Sequence, residues 1–155
     1  MRVSGLSRYS SIASGSHLTC GVDDAGATQR FVGTYTQRIV SGVAQSEWRP
    51  KPVAGAPRLV ALAGGLSFMC GITGVGAAYC WGNNDYGKLG TGCYDSSATP
   101  VPVTGGHAFR SIYAGYDFAC GITLAGEPYC LGQSSRGTLG VENGPFKNPT
   151  PVRLR

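Results

Sequence analysis

Residues 70–82 read CGITGVGAAYCWG, and residues 120–132 read CGITLAGEPYCLG, fifty positions further on. In each stretch two cysteines ten apart frame a glycine-bearing bend. Similarity at a fixed interval is the mark of a repeat architecture, and it has to be read before any single motif. Aligning outward on the cysteines brings Gly15, Gly65 and Gly115 into register, then Cys20, Cys70 and Cys120. Gly21, Gly71 and Gly121 follow, as do Gly26, Gly76 and Gly126, with Val22, Ile72 and Ile122 as one apolar column. Further along, Gly87, Leu89 and Gly90 match Gly137, Leu139 and Gly140. A Pro-x-Pro-Val phrase closes each unit at Pro50–Val53, Pro100–Val103 and Pro149–Val152, so the third unit carries one deletion. The earliest copy is CGVDDAGATQRFVG, residues 20–33, which keeps the bend and lacks the second cysteine.

A period of this length with four short β-like segments per unit points to the blade of a β-propeller rather than a helical solenoid. In unit two the expected strands are Leu59–Ala63, Phe68–Thr73, Ala77–Gly82 and Pro100–Val103. Gly76 is expected to supply a positive φ at the reversal after Thr73, and Gly26 and Gly126 to do the same. Residues 83–99 (NNDYGKLGTGCYDSSAT) read as a long polar loop at the blade rim, free to vary. Composition agrees. Of 155 residues 25 are glycine and only 14% are charged, and no long segment has helical periodicity. The expected fold is therefore all-β: one repeat domain of three four-stranded antiparallel blades, units 4–53, 54–103 and 104–155. It is expected to be a partial propeller, or a ring completed by oligomerisation.

The phrases Ala63-Gly64-Gly65, Cys70-Gly71-Ile72-Thr73 with Gly76, Tyr79-Cys80-Trp81-Gly82-Asn83-Asn84, and Tyr86-Gly87-Lys88-Leu89-Gly90-Thr91-Gly92 resemble the regulator of chromosome condensation repeat family. The resemblance runs through all three units and implies a propeller that usually has seven blades. It also implies that three units make less than half of a ring. The departures are specific. Leu18, Phe68 and Phe118 stand where such repeats often carry histidine, Leu131 replaces the tryptophan of unit two, and unit one lacks the Gly-x-Leu-Gly phrase. Val3 aligns with Val53 and Val103, as if it were the last strand of a preceding unit. An open arc would expose strand edges and apolar blade faces, so a homo-oligomer or neighbouring blades are expected.

Cys70 and Cys80 lie ten apart across a reversal, and Cys120 and Cys130 repeat the spacing. In an antiparallel hairpin such residues oppose each other, close enough for a disulfide. Two cross-strand disulfides would imply an oxidising compartment, hence an extracellular or cell-surface protein. Reduced, buried cysteines are the competing reading. Metal binding is disfavoured, since no close cysteine pair occurs and only His17 and His107 could assist. Cys20 faces Arg30 in the same register, and Cys93 lies in the rim loop; the spacing does not decide whether they pair.

No nucleophile elbow, phosphate loop or metalloprotease motif occurs, so no enzyme, cofactor or catalytic residue is expected. His17 and His107 read as surface residues, and Asp23-Asp24, aligned with Thr73 and Thr123, as turn chemistry. The net charge of +5 comes from scattered basic residues and is poor support for nucleic-acid binding. No apolar stretch is long enough to span a membrane. The N-terminus lacks the apolar core of a signal peptide. Asn84, Asp85, Tyr86, Tyr94, Tyr116 and Arg136 sit in or beside variable turns and are the candidate recognition residues, aromatics and arginine being frequent anchors. Trp81, Tyr79 and Tyr129 are expected to pack between blades. The expected function is a non-catalytic module that recognises a protein or glycan through its rim loops, or self-associates through open blade edges. The alternative, implied by the resemblance, is guanine nucleotide exchange on a small GTPase.

Overall fold

The computed structural model describes residues 8–31, 36–40, 43–47, 50–135, 139 and 146–154. Fourteen strands occur among the described residues. They are β1 (Tyr9–Ser14), β2 (Thr19–Asp23), β3 (Thr28–Arg30), β4 (Thr36–Val40), β5 (Val43–Glu47), β6 (Lys51–Pro52) and β7 (Leu59–Gly64). The rest are β8 (Phe68–Thr73), β9 (Ala78–Gly82), β10 (Ser97–Pro102), β11 (Phe109–Ala114), β12 (Phe118–Thr123), β13 (Pro128–Gln133) and β14 (Lys147–Arg153). Three four-stranded antiparallel sheets result, in the orders β1-β2-β3-β6, β7-β8-β9-β10 and β11-β12-β13-β14. We call them blades one, two and three. In blade one β4 and β5 pair as a separate hairpin between β3 and β6, at the place of the rim loop in blade two.

Each blade turns its central hairpin with the same chemistry. Gly26, Gly76 and Gly126 have φ of 82°, 87° and 84°, the left-handed conformation that only glycine adopts without strain. The hydroxyl of Thr73 accepts the Ala77 amide at 3.1 Å, and that of Thr123 accepts the Glu127 amide at 3.0 Å. In blade one the Asp23 carboxylate does this job, accepting the amides of Ala25 and Ala27 at 3.0 and 2.9 Å. The side chain before each turn thus satisfies amides that the reversal leaves without a ladder partner.

A β-bulge recurs in the first pair of every blade, between Tyr9 and Ser11, Leu59 and Ala61, and Phe109 and Ser111. Residues three apart on a regular strand point to opposite faces, but the extra residue resets the alternation. Leu59 and Leu62 therefore both pack against blade one, in a cluster with Cys20, Val22, Val53, Met69 and Trp81. On the other side Phe68, Cys70, Cys80 and Leu89 pack against Ala119, Leu131 and Ile112 of blade three, and Ile72 and Ala78 against Phe109. Every residue of β8 except Thr73 is buried because blades cover both of its faces. Trp81, 3% exposed, and Tyr79 pack at the first junction and Tyr129 at the second, as their positions predict.

The aligned Gly15, Gly65 and Gly115 mark where neighbouring blades touch backbone to backbone. A Cβ on Gly15 would stand 1.9 Å from the Gly65 carbonyl oxygen, and one on Gly65 would stand 2.5 Å from that of Gly115. The Leu66 amide also donates to the Tyr116 carbonyl at 2.8 Å, a hydrogen bond that crosses from blade two to blade three.

Candidate functional site

The turns at 65–67 and 115–117 and the loop at 83–96 lie at one end of the sheets, since β8 and β9 run antiparallel and the Asn83 amide donates to the Ser67 carbonyl. The hairpin turns at Gly26, Gly76 and Gly126 lie at the other end. The first end carries Asp85, Tyr86, Tyr94 and Tyr116 on a single surface, which we call the loop face.

The loop at 83–96 is built as a clasp, which corrects the reading of it as a freely variable rim. Asn84, a candidate recognition residue, is fully buried. Its side-chain amide donates to the carbonyls of Cys93 and Asp95, both at 3.0 Å, and its oxygen accepts the Leu89 amide at 2.9 Å. Asn84 therefore closes the loop and presents nothing to a partner. Lys88, 2% exposed, reaches across to blade three and forms an ion pair with Asp117. Its ammonium also lies 5.6 Å from the centre of the Phe68 ring and 5.5 Å from that of Tyr86. The loop backbone joins β14 as well, with the Gly92 amide donating to the Pro149 carbonyl at 2.8 Å.

Above this support stands an exposed cluster. The Lys147 ammonium, at the start of β14, lies 5.1 Å from the Tyr86 ring centre and 5.5 Å from that of Tyr94, and donates to the Asp85 carbonyl at 3.0 Å. Phe146 meets the Tyr86 ring edge-on at 6.0 Å. Tyr94 is 48% and Phe146 51% exposed; Tyr86 is half-buried and Asp85 is on the surface. Tyr116 is exposed on the turn between β11 and β12 of blade three, at the same end of the sheets. Arg136 lies outside the described residues. Sequence spacing missed Lys147, the first residue of the closing strand of the third unit, and Phe146 just before it, which reach the cluster only because blade three docks under the loop of blade two.

The four repeat cysteines form the disulfides Cys70–Cys80 and Cys120–Cys130, each joining directly opposed residues. Cys20 and Cys93 are free thiols, the first buried and the second exposed, so they do not pair. Burial pushes the Cys20 thiol up to about 11, and the opposing Arg30 charge offsets only part of this. His17 bonds the Ser67 hydroxyl at 3.1 Å, and His107 stacks on Tyr129 with ring centres 4.0 Å apart. Among the described residues no group of three or more His, Cys, Asp or Glu side chains is placed to hold a metal ion. Among the described residues no helix is long and apolar enough to cross a membrane.

Residues 75–122 match the Regulator of chromosome condensation (RCC1) repeat. No curated protein sequence matches the chain. Among solved structures it is similar to human WBSCR16, at TM-score 0.80 and 19% identity over 96% of this chain and 40% of that one. It is likewise similar to Prp20p from Saccharomyces cerevisiae, described with its binding to Gsp1p and histones, at TM-score 0.75 and 17% identity over 96% and 38%. A third likeness is to the ectodomain of the receptor kinase CR4 from Physcomitrella patens, at TM-score 0.59 and 21% identity over 93% and 35%. The chain thus spans well under half the length of each. At these identities the likeness speaks for the fold, and together with the repeat match it makes this chain an all-β propeller protein that carries the regulator of chromosome condensation repeat.

Proposed function

We propose that the chain is a non-catalytic binding and assembly module whose loop face recognises a protein partner, while the flanks of its arc engage further blades. The observation that carries the reading is the cluster of Tyr94, Phe146, Tyr86 and Lys147, exposed yet held from below by buried Asn84 and the Lys88–Asp117 pair. Exposed aromatics on a rigid base lose little conformational freedom on binding, which is what makes them effective anchors. Protein binding by the yeast structural neighbour fits this reading. Two disulfides and the likeness to a receptor ectodomain support an extracellular or cell-surface setting. A photo-reactive residue at Tyr94 is expected to capture a protein that one at Val75, 80% exposed on the opposite end, does not. Capture is expected to fall at least tenfold when Lys147→Ala and Phe146→Ala are added. Equal capture from both ends would overturn the assignment.

A further inference from the structure

The phrase Gly87-Lys88-Leu89-Gly90 plugs the junction between blades two and three. Leu89 is wholly buried, seated among Phe68 and Cys80 of its own blade and Leu131 of blade three. Gly90 lies against Leu131 and Val103, and its carbonyl accepts the Thr104 amide at 2.8 Å. Leu139, the matching residue of unit three, is wholly buried too. Both units that carry the phrase therefore bury its leucine.

Unit one lacks the phrase, and the β4–β5 hairpin stands in its place as a sheet of its own. Between blades one and two there is a cleft of about 310 Å³. Leu18, Arg30, Val53, Ala54 and Trp81 line it. Each lies fifty positions before a residue around Leu89 and Gly90, namely Phe68, Cys80, Val103, Thr104 and Leu131. The cleft is the same seat without its plug. Two groups in it lack partners among the described residues. The Ala54 amide, which matches that of Thr104, donates to none of them, and Arg30 forms an ion pair with none. Arg30 also stands where unit two has the disulfide cysteine Cys80, so an apolar edge has become a cationic one. No acidic residue is among the described residues that line the cleft.

We propose that this cleft takes a leucine from a loop of a partner protein, with an aspartate or glutamate beside that leucine. The leucine side chain sits on Leu18, Val53 and Trp81, as Leu89 sits on Phe68, Val103 and Leu131. A backbone carbonyl of the partner accepts the Ala54 amide, as the Gly90 carbonyl accepts that of Thr104. The carboxylate pairs with the Arg30 guanidinium, a charge-assisted contact with no counterpart at the second junction. The occupant is a leucine because that is what fills the repeated seat elsewhere, and it is acidic because Arg30 is the only charged residue among the described lining. This site is separate from the loop-face cluster and does not rest on it.

The test titrates isotope-labelled protein with the capped peptide acetyl-Gly-Asp-Leu-Gly-Thr-Gly-amide. The amide signals of Leu18 and Ala54 and the indole signal of Trp81 should shift saturably, with a dissociation constant of about 1 mM or below. Alanine in place of the peptide leucine should weaken binding about tenfold. Lysine in place of the peptide aspartate should weaken it about threefold. Arg30→Glu should reverse the order of the aspartate and lysine peptides, which loss of a merely structural arginine would not do. Ala98→Trp, at an exposed position on the cleft wall, should abolish the shifts. An unchanged melting temperature establishes that each variant folds. A wild type without saturable shifts, equal affinity for the leucine and alanine peptides, or an order that Arg30→Glu leaves in place overturns the proposal. So do nuclear Overhauser contacts from the Trp81 indole to Ile39 or Val40 in the free protein, which would give the seat to the chain's own hairpin. Capture at Tyr94 reports on blades two and three, so the two readings fail separately.

Discussion

Lys88 of blade two and Asp117 of blade three form an ion pair buried at the junction of the two sheets. The pair fastens a loop to the neighbouring blade, and its charges are shielded from water by the Phe68 and Tyr86 rings. Breaking one partner would leave the other charge desolvated and alone, which typically costs about 3–5 kcal/mol, whereas a well-packed apolar pair can be neutral. Lys88→Met is expected to lower unfolding free energy by about this amount. The double variant Lys88→Met with Asp117→Leu should recover most of it. Urea denaturation of the two variants checks both; equal losses would mean that the charge pair is not what matters.

Gly65 is confined on two sides, by its own Phe68 ring and by the Gly115 carbonyl. Gly65→Ala must therefore push a blade outward and is expected to cost at least about 1–3 kcal/mol. Gly74→Ala, in the same blade, would meet only Val60 at 3.9 Å and should be close to neutral. Melting temperatures of the pair provide the comparison.

Asn84→Ala leaves the Leu89 amide and the carbonyls of Cys93 and Asp95 without their partner. Each buried unsatisfied group costs about 1–3 kcal/mol unless water reaches it. Amide hydrogen exchange at Leu89 should accelerate at least tenfold in this variant, with little change at Ile72 in the core of the blade. Uniform acceleration at both sites would show that Asn84 supports the whole blade rather than its loop.

The two disulfides differ in access. Cys70 and Cys80 are wholly buried between blades two and three, while Cys120 is half-buried on the open flank of blade three. Because thiol exchange needs an approach to sulfur, mild reductant should open Cys120–Cys130 first. Peptide mapping after partial reduction and alkylation would reveal the order.

The raised Cys20 value makes stability pH-dependent in a defined direction. A folded-state value of about 11 against an ordinary 9.0 means the neutral thiol is favoured in the fold. This contribution is fully present below pH 9 and is lost as pH rises through 11. Cys20→Ala should accordingly flatten the alkaline fall in stability between those limits, measured as the difference from wild type. In the folded protein at neutral pH, a thiol reagent should label Cys93 alone.

Much of the architecture was legible because a blade is a local object. The turn glycines, the capping Asp23, Thr73 and Thr123, and the opposed cysteines interact within one unit, so their spacing alone implies their geometry. The expected strands of unit two agree with β7, β8 and β9 to within a residue or so, while β10 begins earlier than its prolines suggest. The candidate site was legible only in part. Tyr86, Tyr94, Asp85 and Tyr116 do share a surface, but Asn84 faces inward, because a polar loop residue reads the same whether its amide meets water or backbone.

By itself, then, the sequence determined the repeat, its register and the hydrogen-bonding chemistry of each hairpin, all set by residues within about a dozen positions of one another. Which loop residues are buried, and that Lys88 meets Asp117 and Lys147 lies over Tyr86 and Tyr94, was decided only when sheets stacked. Those pairs join different blades, and the angle and spacing between sheets depend on the packing of whole faces: the bulge that turns Leu59 inward, the glycines that let backbones touch, and Trp81 filling the gap between.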